Sequence, residues 1–267
     1  MPLVPVTKMH GTRNDFILVD ERTERISDYP EFARAFCDRH AGVGADGVLV
    51  ILPSATADIR MRIFNADGSE AEMCGNGIRC FAAYLNEEGG LPDLRIETKA
   101  GVIKTQITSG APDYNVRVNM GTPKFGKNDR PGDNVAFVAL GNPHVVLFAK
   151  NFDDIDLDDV GPKYNQQIAG GANVHVVVKS GPSRLLVHHW ERGVGGTMAC
   201  GTGAVAAAVA AIQRGDVVSP VEVNVPGGRL IVEWEGEGDA MLTGPAVRVF
   251  ETEIELPHSR AKTPVSP

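Results

Sequence analysis

The chain of 267 residues is poor in cysteine, in basic clusters and in long apolar runs. Its four cysteines, Cys37, Cys74, Cys80 and Cys200, are too few to staple a chain of this length as a disulfide framework. No Cys-x-x-Cys pair is present, which removes the usual spacing of a structural zinc site or a thioredoxin-like motif. Free thiols in a reducing compartment follow, each to be explained by packing or by chemistry. No apolar stretch approaches the ~18–20 residues that span a bilayer. The opening Met1-Pro2-Leu3-Val4-Pro5 lacks the basic-then-apolar layout of a secretory signal, so a cytoplasmic location and no membrane partner are expected. With 26 Lys and Arg against 34 Asp and Glu, net charge −8, and no basic cluster, a nucleic-acid surface is not expected. The sharpest charge run, Asp153 to Asp159, lacks the central glycine of a calcium loop and reads as a solvated surface loop.

What is present is a chain of many short β-like runs. They are Phe16–Asp20, Gly47–Leu52, Ile59–Phe64, Leu94–Thr98, Val102–Ile107, Asn115–Asn119, Val135–Leu140, His144–Phe148, Asn173–Val178, Ser183–His188, Val221–Val225, Arg229–Glu233 and Ala246–Phe250. β-branched residues dominate them, and Gly, Pro, Asn or Asp bound them. Helical patterns are fewer: Pro30–Arg39, Gly77–Asn86 and Thr202–Arg214. The last is nearly all Ala and Val, and a helix without a polar face is buried on every side, so strands should wrap it.

A weak internal repeat organises the whole. Met73-Cys74-Gly75-Asn76-Gly77 opens one small-residue helix, and Ala199-Cys200-Gly201-Thr202-Gly203 opens another, close to half the chain later. This suggests an α+β protein of two pseudo-symmetric lobes. Residues 1–120 form the first with Cys74, and 121–249 the second with Cys200. The boundary falls near Asn119–Pro131, a segment from about 250 to 267 packs back on the first lobe, and the tail Ser259–Pro267 frays.

A cysteine just before a helix sits where free backbone N–H groups converge, which should favour its thiolate. Glycines beside it let those amides approach a carboxylate or a developing oxyanion. One such turn fits many cysteine enzymes. Two, on equivalent halves, fit inversion of a carbon centre: one thiolate removes a proton while the opposite thiol donates one. Cys37 and Cys80 read as small buried hydrophobes, Cys80 pointing away from Cys74. His188 and His189 read as surface or core residues, their side chains pointing apart on a strand.

Read together, several segments resemble the diaminopimelate epimerase family. They are Lys8 to Phe16, Asp38 to Gly47, Asn65 to Ser69 running into Cys74 to Cys80, Gly141-Asn142-Pro143-His144, and Glu191 to Gly195 leading to Ala199 to Gly203. They span nearly the whole chain in family order. The resemblance implies two barrel-like β lobes, each wrapped around a central helix, with the site in the cleft, and a homodimer. It implies interconversion of LL- and meso-diaminopimelate without pyridoxal phosphate or metal, so no cofactor is expected. It implies Cys74 and Cys200 as the acid/base pair, with His144 and Glu191 assisting. Gly75, Asn76, Gly201 and Thr202 would hold the reacting carboxylate. Asn14, Asn65, Asn142, Asn173, Glu191 and Arg192 would bind the rest of the substrate. Arg13, Gly47, Val145 and Val205 depart from common family residues. Proline racemase, a non-catalytic binder of the same fold and a thiol redox protein stay open beside this reading.

Overall fold

In the computed structural model of the chain, residues 3–23, 25–126 and 134–256 are described. The first half contributes β1 (Leu3–Gly11), β2 (Asn14–Asp20), α1 (Tyr29–Phe36), β3 (Gly47–Leu52), β4 (Ile59–Asn65), β5 (Glu70–Ala71), α2 (Gly75–Glu87), β6 (Asp93–Thr98), β7 (Gly101–Ser109) and β8 (Tyr114–Asn119). After the short β9 (Lys124–Phe125) come β10 (Val135–Leu140), β11 (Asn142–Ala149), α3 (Leu157–Gln167), β12 (Asn173–Gly181), β13 (Arg184–Glu191), β14 (Gly195–Thr197), α4 (Gly201–Arg214), β15 (Val221–Val225), β16 (Gly228–Glu233) and the long β17 (Met241–Glu255). The protein is α+β, about 20% helix and 46% strand.

The repeat reaches every pairing. β1-β2-β3-β4-β6-β7-β8 join in the senses antiparallel, parallel, antiparallel, parallel, antiparallel, antiparallel. β10-β11-β12-β13-β15-β16-β17 join in the same six senses. β5 lies antiparallel on β4 as β14 does on β13. β17 serves both halves. Met241–Glu255 starts beside β16 and β8, then continues along β1 from Val247 to Glu255, closing an eight-stranded barrel. Most strands have apolar residues buried on alternate positions or throughout, which is why short β-branched runs marked them.

α2 and α4 are the central helices. Gly75 to Ala83 of α2 are buried throughout, and of Gly201 to Ala211 in α4 only Thr202 is not. Small side chains let strands approach the α4 axis on all sides, and both helices share one apolar core with Phe16, Leu49, Val138 and Leu230.

All thirteen expected strands form, several of them longer than the β-branched run that marked them. Three expectations change. β1 had no sequence signal, since Pro5 and Lys8 interrupt its apolar residues; its ladder partners are β2 and the distant β17. The expected helix Pro30–Arg39 ends at Phe36, with Cys37 as its C-cap. The acidic run is not a surface loop. Phe152–Asp154 is a 3₁₀ turn, and Asp156 caps α3 by accepting from the Asp158 and Asp159 N–H groups. Asp158 and Asp159 then occupy the first turn, where the helix dipole favours negative charge. The proposed tail Ser259–Pro267 and the Lys127–Pro131 part of the proposed boundary lie outside the described residues.

Candidate active site

Cys74 and Cys200 are the N-cap residues of α2 and α4, both with extended backbone. The two helix starts meet. A Cβ built on Gly201 would lie 3.3 Å from Gly75 Cα, and one on Gly75 would lie 3.6 Å from Gly201 Cα. A side chain at Gly201 would be tight against Gly75, while one at Gly75 would stand at ordinary contact distance. Asn76 stitches the turns together, its Nδ2 donating to Ala199 O at 3.2 Å and to Asn14 Oδ1 at 3.1 Å.

Around the sulfurs the partners differ. Cys74 Sγ accepts from the Gly77 N–H at 3.4 Å and lies 3.6 Å from Asn14 Oδ1. Cys200 Sγ is 3.5 Å from Thr202 Oγ1 and within hydrogen-bonding reach of the Glu191 carboxylate. Glu191 Oε1 also accepts from Thr197 Oγ1 at 2.6 Å.

The helix amides favour the thiolates as expected, but burial outweighs them and reverses the net shift. Burial pushes the Cys74 thiol up, and the Gly77 and Asn76 amides only oppose it. Burial pushes Cys200 well above the ordinary thiol range, and the Glu191 charge adds to it. Both sulfurs are thiols at neutral pH. Burial likewise raises Glu191, the donors Thr197 and Cys200 opposing. Desolvation of a charged form outweighs a few amide donors here. Cys37 and Cys80 are core residues at 2% and 0% exposure, each pushed up to about 12 by burial.

A cleft of about 1010 Å³ opens beside these turns, lined by Asn14, Asn65, Cys74, Glu191, Arg192 and by Ala199, the residue before Cys200. Cys200 itself is buried. Asn65 Nδ2 donates to Ser69 Oγ at 2.9 Å. Arg192 Nη1 donates to Gly170 O, and its backbone N–H donates to Asn173 Oδ1 at 2.9 Å. Asn173, Asn142 and His144 are not in the cleft wall. His144 bonds Asn142 and His175, and neither of its nitrogens bonds a sulfur among the described residues.

Three charged groups escaped the sequence reading. Arg39 bridges Asp15 at 2.7 Å and Asp46 at 2.8 Å, and Asp46 holds the Asn14 amide at 2.7 Å. Arg39 and Asp46 both line the cleft. Arg79 is wholly buried and donates to Gly75 O at 2.9 Å, Asn76 Oδ1 at 3.0 Å, Pro245 O at 3.2 Å and Thr12 Oγ1 at 3.3 Å. Among the described residues every hydrogen-bond partner is neutral, so a positive charge stands behind the two helix starts with no carboxylate bonded to it there. All three lie inside the family-like segments, which was the signal available for them.

The model of the diaminopimelate epimerase family matches residues 6–126 and 136–249. A diaminopimelate epimerase of Desulfitobacterium hafniense is 41% identical over 272 residues, 92% of this chain and 96% of that protein. Another, of Stutzerimonas stutzeri, is 41% identical, covering 95% of this chain and all of that one. Among solved structures, a phenazine biosynthesis protein of the PhzF family from Bacillus anthracis has a TM-score of 0.77 at 21% identity, over 96% of this chain and 100% of that one. A hydroxyproline epimerase from Agrobacterium vitis has a TM-score of 0.71 at 16% identity, over 95% and 93%. These two share the fold.

Proposed function

Since the chain belongs to the diaminopimelate epimerase family, we propose that it interconverts LL- and meso-diaminopimelate by proton transfer at Cα, with Cys74 and Cys200 as the two acid/base groups. The observation that carries this reading is the meeting of two Cys-Gly helix starts at Gly75 and Gly201, from halves that share one strand register.

The cycle starts from two thiols. Glu191, whose carboxylate acts electrostatically on Cys200, is the group to take that thiol's proton and leave a thiolate. The thiolate removes the Cα proton, and the other thiol donates from the opposite face. Negative charge then develops beside the substrate carboxylate. The free amides of Gly75, Asn76, Gly201 and Thr202 and the buried charge of Arg79 oppose it. The same unpaired cation favours an anion in the site before any chemistry, because a buried charge gains most from a partner. Arg192, with Asn14 and Asn65, takes the distal amino-acid end, and Asn173 holds the Arg192 backbone.

We read residues 1–120 and 121–249 as the two lobes, and the protein as a cytoplasmic homodimer supplying lysine and peptidoglycan precursors. The test is incubation of LL-diaminopimelate in D₂O. The reading expects meso product carrying deuterium at the inverted Cα, and no exchange into proline or hydroxyproline. Turnover of the cyclic substrates with diaminopimelate inert would sink it.

A further inference from the structure

Beneath the first turn of α4 lies a chain of three buried histidines, one on each of three neighbouring strands. His144 Nδ1 is 2.9 Å from His175 Nε2, and His175 Nδ1 is 2.8 Å from His189 Nδ1. At one end His144 Nε2 is 2.9 Å from Asn142 Oδ1; at the other, His189 Nε2 has no hydrogen-bond partner among the described residues. The three rings are 0–2% exposed. His175 lies against Gly203: a Cβ there would fall 2.7 Å from Nε2 and 2.9 Å from Nδ1.

Packing does not require this chain. By strand register, His144, His175 and His189 correspond to Phe16, Leu49 and Ile63 in the first half. Those residues make an apolar bed under α2, where Leu49 and Phe16 lie against Gly77, the counterpart of Gly203. The same fold therefore sits on hydrocarbon in one half and on imidazole in the other.

The hydrogen count gives the chain a direction. Three neutral imidazoles carry three ring N–H groups, and two are used between rings. The oxygen of Asn142 can only accept, so the third N–H is on His144 Nε2. His175 then donates from Nε2 to His144, and His189 donates from Nδ1 to His175. The unpartnered atom at the far end is a bare acceptor, which is less costly to bury than an orphaned N–H. Burial keeps the rings neutral, with His144 and His189 pushed down to about 3.

We propose that His175 and His189 are positioning residues for epimerisation: they hold His144 as the Nε2–H tautomer, which turns the Asn142 carboxamide oxygen inward and leaves its N–H pair for the Cys200 side of the reaction. Asn142 is the counterpart of Asn14, whose oxygen instead faces Cys74. If Asn142 takes Asn14's place in the repeat, the Cys74 turn receives an acceptor and the Cys200 turn a donor. The kinetic part rests on the epimerase reading; the tautomer part does not.

The experiment has two arms. In ¹⁵N-histidine-labelled protein at pH 7, NMR should show pyrrole-type Nε2 in His144 and pyrrole-type Nδ1 in His189. A His144 with pyrrole-type Nδ1, or any of the three as imidazolium, overturns the proposal. In the second arm, His175→Leu with His189→Ile builds the other half's bed and so should fold. It should lower kcat by about tenfold or more with KM changed by less than about threefold. His175→Gln, whose oxygen can accept from His189 and whose nitrogen can donate to His144, should keep kcat within about threefold of wild type. Wild-type kcat in the double variant overturns the proposal. If that variant does not fold, the wild-type spectrum still decides it. Failure of the wild type to epimerise would sink the epimerase reading while leaving the tautomer result standing.

Discussion

At Cys74 the sulfur is capped by an amide and faces a carboxamide oxygen; at Cys200 it faces a hydroxyl and a carboxylate. Asn65 stands at the register position that Glu191 holds in the other half. The backbones are copies, so the repeat fixes where each sulfur sits. Beyond the burial that raises both thiols, their acidity differs through side chains the copies do not share, Glu191 above all. A reaction that must run on two faces of one carbon can be tuned on each face without disturbing the common frame.

The comparison can be broken most severely at the sulfurs themselves. Cys74→Ser and Cys200→Ser should each lower epimerisation by roughly 10²–10⁴-fold, measured as meso product from the LL substrate. Equal wild-type rates in either variant would remove that half from the chemistry. Glu191→Gln sharpens the contrast. It should lower kcat by about 10²-fold. It should also make Cys200 react with iodoacetamide at lower pH, because the Glu191 charge and hydrogen bond both raise that thiol. Cys74 should shift less, since Glu191 is a minor influence there after burial and the amides. Peptide mass spectrometry across pH 6–10 separates the two sulfurs.

The histidine bed should make the second half acid-sensitive. His144 and His189 stay neutral in the folded chain down to about pH 3, whereas unfolded histidine takes a proton near pH 6.5. Below about 6.5 the unfolded state binds more protons, so stability falls as pH falls, by up to about 1.4 kcal/mol per pH unit for each ring. Urea midpoints between pH 7 and 4.5 should drop less in His175→Leu/His189→Ile than in wild type. The smallest contrast is steric. Gly203→Ala pushes a methyl into the His175 ring and should cost about 1–3 kcal/mol in thermal unfolding. Gly77→Ala is tight only against the flexible end of Leu49 at 3.0 Å, with Cys74 and Phe16 at ordinary contact distance, and should lie within about 1 kcal/mol of wild type.

Much of this was legible in the chain before any coordinates. Gly47–Leu52 announces a buried strand because it is an unbroken run of apolar residues and glycine, five of the six buried, and a breaker follows at Pro53. The paired cysteine turns stand out because the same Cys-Gly-x-Gly pattern opens a small-residue helix twice. Asn14, Asn65, Glu191 and Arg192 all line the cleft. Other features depend on contacts between distant residues. His175 lies in a run of valines and looks like any strand residue until β11 and β13 bring two more imidazoles beside it. The acidity of the thiols depends on depth of burial, which a motif does not encode, and so its sign was misread. α3 was hidden because its capping aspartates are also loop residues by composition.

β17 carries a consequence for synthesis. Leu3 pairs with Glu255, so the first barrel waits for the last described strand to emerge before its seam can close. The second half needs the opening residues of the same strand. A ribosome that has released eight strands has released an unzipped sheet with bare edges, exposed to mispairing until β17 follows. Maturation of both halves is therefore tied to the emergence of β17, and a nascent chain stalled before that strand would leave the barrel open.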